Sequence, residues 1–142
     1  MIRIGSRDID DIISHSENEQ PVEACGILAG RIIKMNGGVV KEVLKVYRCK
    51  NELNSLTEYR INAEEQLKVF DEIDRSGLDL LGFYHSHPYT NSHPSLIDRE
   101  RGNYFGYSYV IVSLRPKKVS SWVLEEDGFK EEMISVVSNQ ES

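Results

Sequence analysis

Residues 85–98 read HSHPYTNSHPSLID, and three of the chain's 4 histidines lie in this run. His85 and His87 stand one residue apart at the end of DLLGFYHSH, a segment apolar enough to predict a central strand. Residues i and i+2 of a strand share a face, so both imidazoles can reach one metal ion. Zinc takes N and O ligands at about 2.0–2.2 Å, and a hydrolytic site uses three protein ligands with a fourth position left open to water. Asp98, one turn into a predicted short helix, supplies a third ligand once the loop folds back. A second reading stands beside this one. An HxH pair alone is a weak signal, and Ser95-Leu96-Ile97-Asp98 also matches the capping box, in which both side chains satisfy backbone amides at a helix start. The chain contains neither HExxH nor the signature of zinc deaminases, which sets those two hydrolase classes aside.

The rest of the sequence must place these residues. At 142 residues, 39% hydrophobic and 28% charged, the chain has the size and composition of one soluble domain spanning 1–142. A net charge of −6 argues against nucleic acid as the partner, because phosphate binding needs a basic face. No apolar run is long enough to span a bilayer, and MIRIGSRDID lacks the apolar centre of a signal peptide, so a cytoplasmic location is expected.

MIRIG reads as a strand, followed by a helix capped by Ser6 with Ile9, Ile12 and Ile13 on one face and ended at Gln20-Pro21. ACGILAGRIIKM and VVKEVLKVYRC form a hairpin around Asn36-Gly37-Gly38. A regular hairpin sets Cys25 opposite Cys49, within roughly 5.5 Å between Cβ atoms. Reduced, buried thiols are the expectation for a mesophilic cytosol, and a disulfide for a hyperthermophile.

KNELNSLTEY is polar and irregular and reads as a surface loop. Asn62 caps a helix over AEEQLKVFDEIDRSG with Leu67, Phe70 and Ile73 at helical intervals. After the histidine strand and the helix SLIDRERG, the segments YSYVIVSL, KKVSSWVLEE and FKEEMISVV predict a β-meander, with a frayed SNQES tail. The result is a mixed α/β fold of six or seven strands and two or three helices.

HSHPYTNSHPSLID, together with PVEACGILAG upstream, resembles the JAMM motif of the MPN-domain metallopeptidases. His85, Ser86, His87, Pro88, Ser95 and Asp98 match its H-[ST]-H-P-x6-S-x2-D pattern, and Pro21 to Gly26 resembles the family's P-x-E-x-C-G segment, most like its compact prokaryotic members. The resemblance implies an α+β MPN-type domain with a mixed, curved sheet flanked by helices. It implies one zinc ion on His85, His87 and Asp98, with Glu23 as the base that takes a proton from the attacking water. It also implies Ser95 as the hydrogen-bond donor to the oxyanion.

Asp98 cannot easily ligate and cap fully, so its capping share should be the smaller. Ser86 points to the opposite face and is expected to be structural. His93 falls outside the motif and is read as a loop residue. Glu42, Glu52, Glu58, Glu64 and Glu65 read as solvated charges or as part of a helix start.

The implied substrate is a ubiquitin-like modifier or sulfur-carrier protein, cut after its C-terminal Gly-Gly. Its tail would add beside a sheet edge in a groove shaped by residues 50–60, with Tyr59, and 88–94, with Tyr89. Two rival functions remain: a catalytically silent MPN scaffold, and a zinc hydrolase of a small amide or dipeptide. The oligomeric state, a homodimer included, is left open by the sequence.

Overall fold

The sheet is laid down around the histidine strand. The computed structural model describes residues 1–138, so the expected fraying of the tail beyond Ser138 lies outside the described residues. In chain order the elements are β1 (Ile2–Gly5), α1 (Ser6–Glu19), β2 (Cys25–Met35), β3 (Gly38–Cys49), α2 (Ala63–Arg75) and β4 (Asp79–His87). There follow α3 (Leu96–Arg101), β5 (Ser108–Leu114), β6 (Lys117–Glu125), β7 (Gly128–Glu132) and β8 (Ile134–Val137). The strands form one 8-stranded sheet in the order β7-β6-β5-β4-β2-β3-β1-β8. β4 runs parallel to β5, and β1 is parallel to β3 and β8, while the other pairs are antiparallel. This is the mixed sheet that the sequence predicts, with the histidine strand at its centre.

FKEEMISVV, expected as a single strand, is two. β7 and β8 lie at opposite ends of the strand order yet are separated only by Met133, so the sheet curls until its two ends meet. Glu132 turns inward at that junction and accepts hydrogen bonds from Ser108 Oγ at 2.5 Å and Ser121 Oγ at 2.7 Å. Ile2 N–H donates to the Met133 carbonyl at 2.9 Å and ties the far end in.

The β2–β3 turn is Asn36-Gly37, one residue shorter than expected, with Gly37 at φ +85°. A register shift between Ala29 and Gly30 then restores the predicted pairing of Cys25 with Cys49. Both cysteines are free and buried. Burial pushes the Cys49 thiol up to about 12 and Cys25 up as well, so both are inert as nucleophiles.

Two apolar clusters cover the two faces of the sheet. Ile27, Phe83 and Tyr109 pack with Ile73 and Phe70 of α2, and Ile2, Leu28, Tyr84 and Val110 pack with Ile12 of α1. Tyr84 packs across the strand onto Gly26, where any Cβ would come within 2.0 Å of its ring. Its hydroxyl meets His15 Nδ1 of α1 at 2.7 Å. Two helix details depart from the sequence reading. Ser6 lies inside α1, with Gly5 at the cap position, and Leu67 is exposed while Gln66, Val69, Phe70 and Ile73 form the inner face of α2. Asn62 does cap α2, its side chain accepting from the Glu64 and Glu65 amides at 3.0 and 3.2 Å.

Candidate active site

His85 and His87 project from the carboxyl end of β4 on the α2 side of the sheet, and the loop after Pro88 brings the start of α3 back to them. His85 Nε2 lies 3.2 Å from His87 Nε2 and 3.1 Å from Asp98 Oδ1, and His87 Nε2 lies 3.0 Å from Asp98 Oδ2. All three side chains are buried. Their ligand atoms form a group within 4.8 Å of one another. Donors of a tetrahedral ion with bonds near 2.0 Å stand roughly 3.3 Å apart, so this spacing fits one metal ion.

Hydrogen bonding supports the fit. His87 Nδ1 sits 2.6 Å from the Asn91 carbonyl, which can only accept, so the ring carries its proton there and turns the Nε2 lone pair inward. A lone pair facing a carboxylate oxygen at 3.0 Å is repulsive unless a cation lies between them. Among the described residues His85 Nδ1 has no hydrogen-bond partner, and its ring is oriented instead by stacking on Tyr59, with centroids 4.6 Å apart and planes at 25°. Burial disfavours an ionised Asp98, but His85 and the Ser95 amide outweigh it and hold the carboxyl well below the usual carboxylate range.

Asp98 is also a complete cap, contrary to the expectation that capping would be its smaller share. Asp98 N–H donates to Ser95 Oγ at 3.1 Å, and Ser95 N–H donates to Asp98 Oδ2 at 2.9 Å. The roles coexist because the Ser95 amide takes a lone pair on Oδ2 that need not face the histidines, while Oδ1 stays free of the cap. Ser95 uses an oxygen lone pair for its capping bond, so its hydroxyl proton is left to donate elsewhere.

Glu23 lies just before β2, whose Cys25 pairs with His85. The side chain is buried, and Oε1 has no hydrogen-bond partner among the described residues. Burial, aided by the charges of Asp98 and Glu58, pushes its carboxyl up to about 9. Its backbone is fixed on both sides: Glu23 N–H donates to the Ser55 carbonyl at 2.9 Å, and its own carbonyl accepts from Asn51 Nδ2 at 3.1 Å.

Ser86 holds the next residue to β4, accepting from Ala24 N–H at 2.8 Å while its own N–H donates to the Ala24 carbonyl at 3.0 Å. Ser86 is therefore structural, as expected. Ser86→Ala leaves a buried amide without an acceptor and is expected to cost about 1–3 kcal/mol in urea unfolding.

The other expectations sort themselves by contact. His93 is exposed, and its ring packs on Trp122 at 5.0 Å, outside the ligand group. Glu42, Glu52 and Glu65 engage Arg3, Arg60 and the Lys50 amide, and Glu64 lies in the first turn of α2. Glu58 is more than a solvated charge. It pairs with Arg101 at 3.1 Å and helps line a cavity of about 340 Å³ that opens beside His85 and Asp98. Aromatic rings of Tyr59, Phe83, Tyr104, Tyr109 and Phe129 form much of its wall.

Loop 88–94 takes no part in that wall. It is pinned to β5 and β6 by Ser113 Oγ donating to the Thr90 carbonyl at 2.8 Å and Trp122 Nε1 donating to the Ser92 carbonyl at 2.9 Å. It thus braces His87 through Asn91. Tyr89 is exposed, 5.0 Å beneath the Arg115 guanidinium. Sequence reasoning missed Asn51, Asn91 and Tyr104. All three act through backbone contacts or a wall that forms only when distant segments meet, so no local signal marks them.

A curled mixed sheet that gathers two buried histidines and an aspartate into one group able to hold a metal ion is the arrangement of a metallohydrolase. The family model described as prokaryotic homologs of the JAB domain matches residues 6–125, and the chain belongs to that family. A desampylase of Haloferax volcanii is 34% identical over 109 residues, covering 73% of this chain and 74% of the relative. A CysO-cysteine peptidase of Mycobacterium tuberculosis is 30% identical over 132 residues, covering 91% and 86%. The solution structure of protein DSY2949 from Desulfitobacterium hafniense superposes with a TM-score of 0.87 at 31% identity, covering 99% of this chain and 96% of that one.

Proposed function

We propose that the protein is a zinc-dependent peptidase that hydrolyses the bond after the C-terminal Gly-Gly of a ubiquitin-like modifier or sulfur-carrier protein. The observation that carries this reading is the convergence of His85 Nε2, His87 Nε2 and the Asp98 carboxylate within 3.0–3.2 Å of one another, with the buried Glu23, whose Oε1 has no hydrogen-bond partner among the described residues, near enough to feel the Asp98 charge. His85, His87 and Asp98 would hold the zinc ion. When bound, zinc polarises the scissile carbonyl and makes water a nucleophile near neutral pH.

The chain's own groups do the rest. Glu23 takes the proton from the attacking water and returns it to the leaving amine. Ser95 donates its free hydroxyl proton to the oxygen on which charge develops. Asn91, through His87 Nδ1, keeps the metal-facing nitrogen unprotonated. The histidines' burial and the ring of Tyr59 over His85 exclude bulk water from one side of the reacting centre. A glycine tail is thin enough to approach between loop 51–61 and α3, and the aromatic cavity there has room for a larger side chain of the same substrate. The reduced cysteines suit the cytoplasm.

The test is cleavage of a ubiquitin-like protein joined to lysine through its C-terminal glycine, with and without chelator. Release of the lysine adduct by the zinc-loaded protein, abolished by chelator, is expected. Absence of both zinc and cleavage would favour the scaffold, and cleavage confined to a free Gly-Gly amide would favour the small-amide hydrolase.

A further inference from the structure

We infer that Asn51 is a positioning residue that couples the substrate-side loop to Glu23. This rests on the assignment of Glu23 as the base. Asn51 lies in the polar stretch that reads as a surface loop, yet it is only 3% exposed. Every hydrogen-bonding position of its side chain is filled. Nδ2 donates to the carbonyl of Glu23 at 3.1 Å and that of Glu58 at 3.0 Å, while Oδ1 accepts from the amides of Leu53 and Arg60, both at 3.1 Å.

Three of these bonds shape the loop itself. The fourth leaves it for a residue 28 positions earlier in the chain. Ser55 of the same loop accepts the Glu23 amide at 2.9 Å, so both backbone groups of Glu23 hang from residues 51–55. The same loop carries Tyr59, stacked on His85, and Glu58, paired with Arg101 at the end of α3. A substrate that presses on this loop therefore presses on the backbone that aims the Glu23 carboxyl. A displacement of about 1 Å at a reacting group can cost on the order of 10²-fold in rate.

A purely structural Asn51 would predict lost stability and a general loss of activity. A positioning Asn51 predicts an effect that exists only while Glu23 is there to be positioned. The experiment is a double-mutant cycle on the zinc-loaded full chain with a Gly-Gly–lysine conjugate as substrate. Asn51→Gln keeps both the donor and the acceptor one methylene further out, which favours folding while shifting the Glu23 backbone. Asn51→Ala removes all four bonds. Ile12→Val, in the α1 core on the opposite face of the sheet, serves as a control for destabilisation unconnected with the base.

Asn51→Gln is expected to lower kcat by roughly 30- to 100-fold with KM changed by no more than about 3-fold and zinc content unchanged. In a Glu23→Gln background the same substitution should have almost no further effect on kcat. The inference is overturned if the two substitutions multiply, if only KM moves, or if Ile12→Val lowers kcat as much. A wild-type protein that binds zinc but leaves every Gly-Gly conjugate intact would overturn the proposed function instead, and this inference with it.

Discussion

Glu23→Gln is expected to lower turnover by about 10²–10⁴-fold and at the same time make the chelator-treated protein more stable. Both effects come from one buried carboxyl group. In the folded chain Glu23 keeps its proton up to about 9, whereas in the unfolded chain it releases it near the ordinary value of 4.5. Between those values the native state binds the extra proton, so stability falls as pH rises through that window. At pH 7 the difference amounts to about 3 kcal/mol against the folded state. Glutamine has the same shape and no ionisation to suppress. Its apo form should therefore unfold later in urea at pH 7–8, with the advantage vanishing toward pH 4.5.

A cation beside Glu23 favours the ionised form. The stabilisation should thus shrink in the zinc-loaded protein, where the carboxylate is available as a base. Loss of general acid–base catalysis costs about 10²–10⁴-fold in kcat. Turnover surviving at the wild-type rate would remove Glu23 from the mechanism. Equal stability of the two apo proteins across pH 5–8 would show that the carboxyl is not held protonated.

The ease with which each part of this site could be read from sequence follows from how local its physics is. His85 and His87 share a face because strands alternate, and that periodicity is written in adjacent residues. Asp98 is fixed relative to Ser95 by a capping box four residues long, so it too is visible. Glu23 is different. No spacing in the sequence puts it near His87, and only the resemblance to a known motif singled it out. Its placement depends on the antiparallel pairing of β2 with β4 and on Ser86 holding Ala24.

Loop 51–61 reads as solvent-facing because it is polar, but Asn51 is polar in order to satisfy buried backbone groups. The same inversion hides a second task of loop 88–94, which braces His87 through the Asn91 carbonyl. The strand break at Met133 is equally invisible: FKEEMISVV is a continuous strand pattern, and only closure of the whole sheet requires it to leave one edge and join the other.

Replacing Asp98 and Ser95 separates the two tasks that share this corner of the fold. Asp98→Ala removes a metal ligand together with half of the capping box, so zinc should be lost and α3, only 6 residues long, should fray. Asp98→Asn is the more informative change. Its amide oxygen can still accept from Ser95 N–H, now 2.9 Å from Asp98 Oδ2, so the helix start should persist. The negative charge that balances a divalent cation is gone, however, and zinc affinity should fall steeply with little change in unfolding midpoint.

Ser95→Ala is expected to do the converse. It deletes the acceptor of the Asp98 amide, which costs about 0.5–2 kcal/mol as a lost cap, while the three ligands and the zinc content stay in place. If the Ser95 hydroxyl also serves the developing oxyanion, kcat falls by about 10²–10³-fold on top of that modest destabilisation. Metal analysis, circular dichroism and turnover on the three variants form one set of measurements. Zinc retained by Asp98→Ala would remove Asp98 from the ligand set. An unchanged kcat in Ser95→Ala would reduce Ser95 to the helix cap that the local sequence pattern by itself describes.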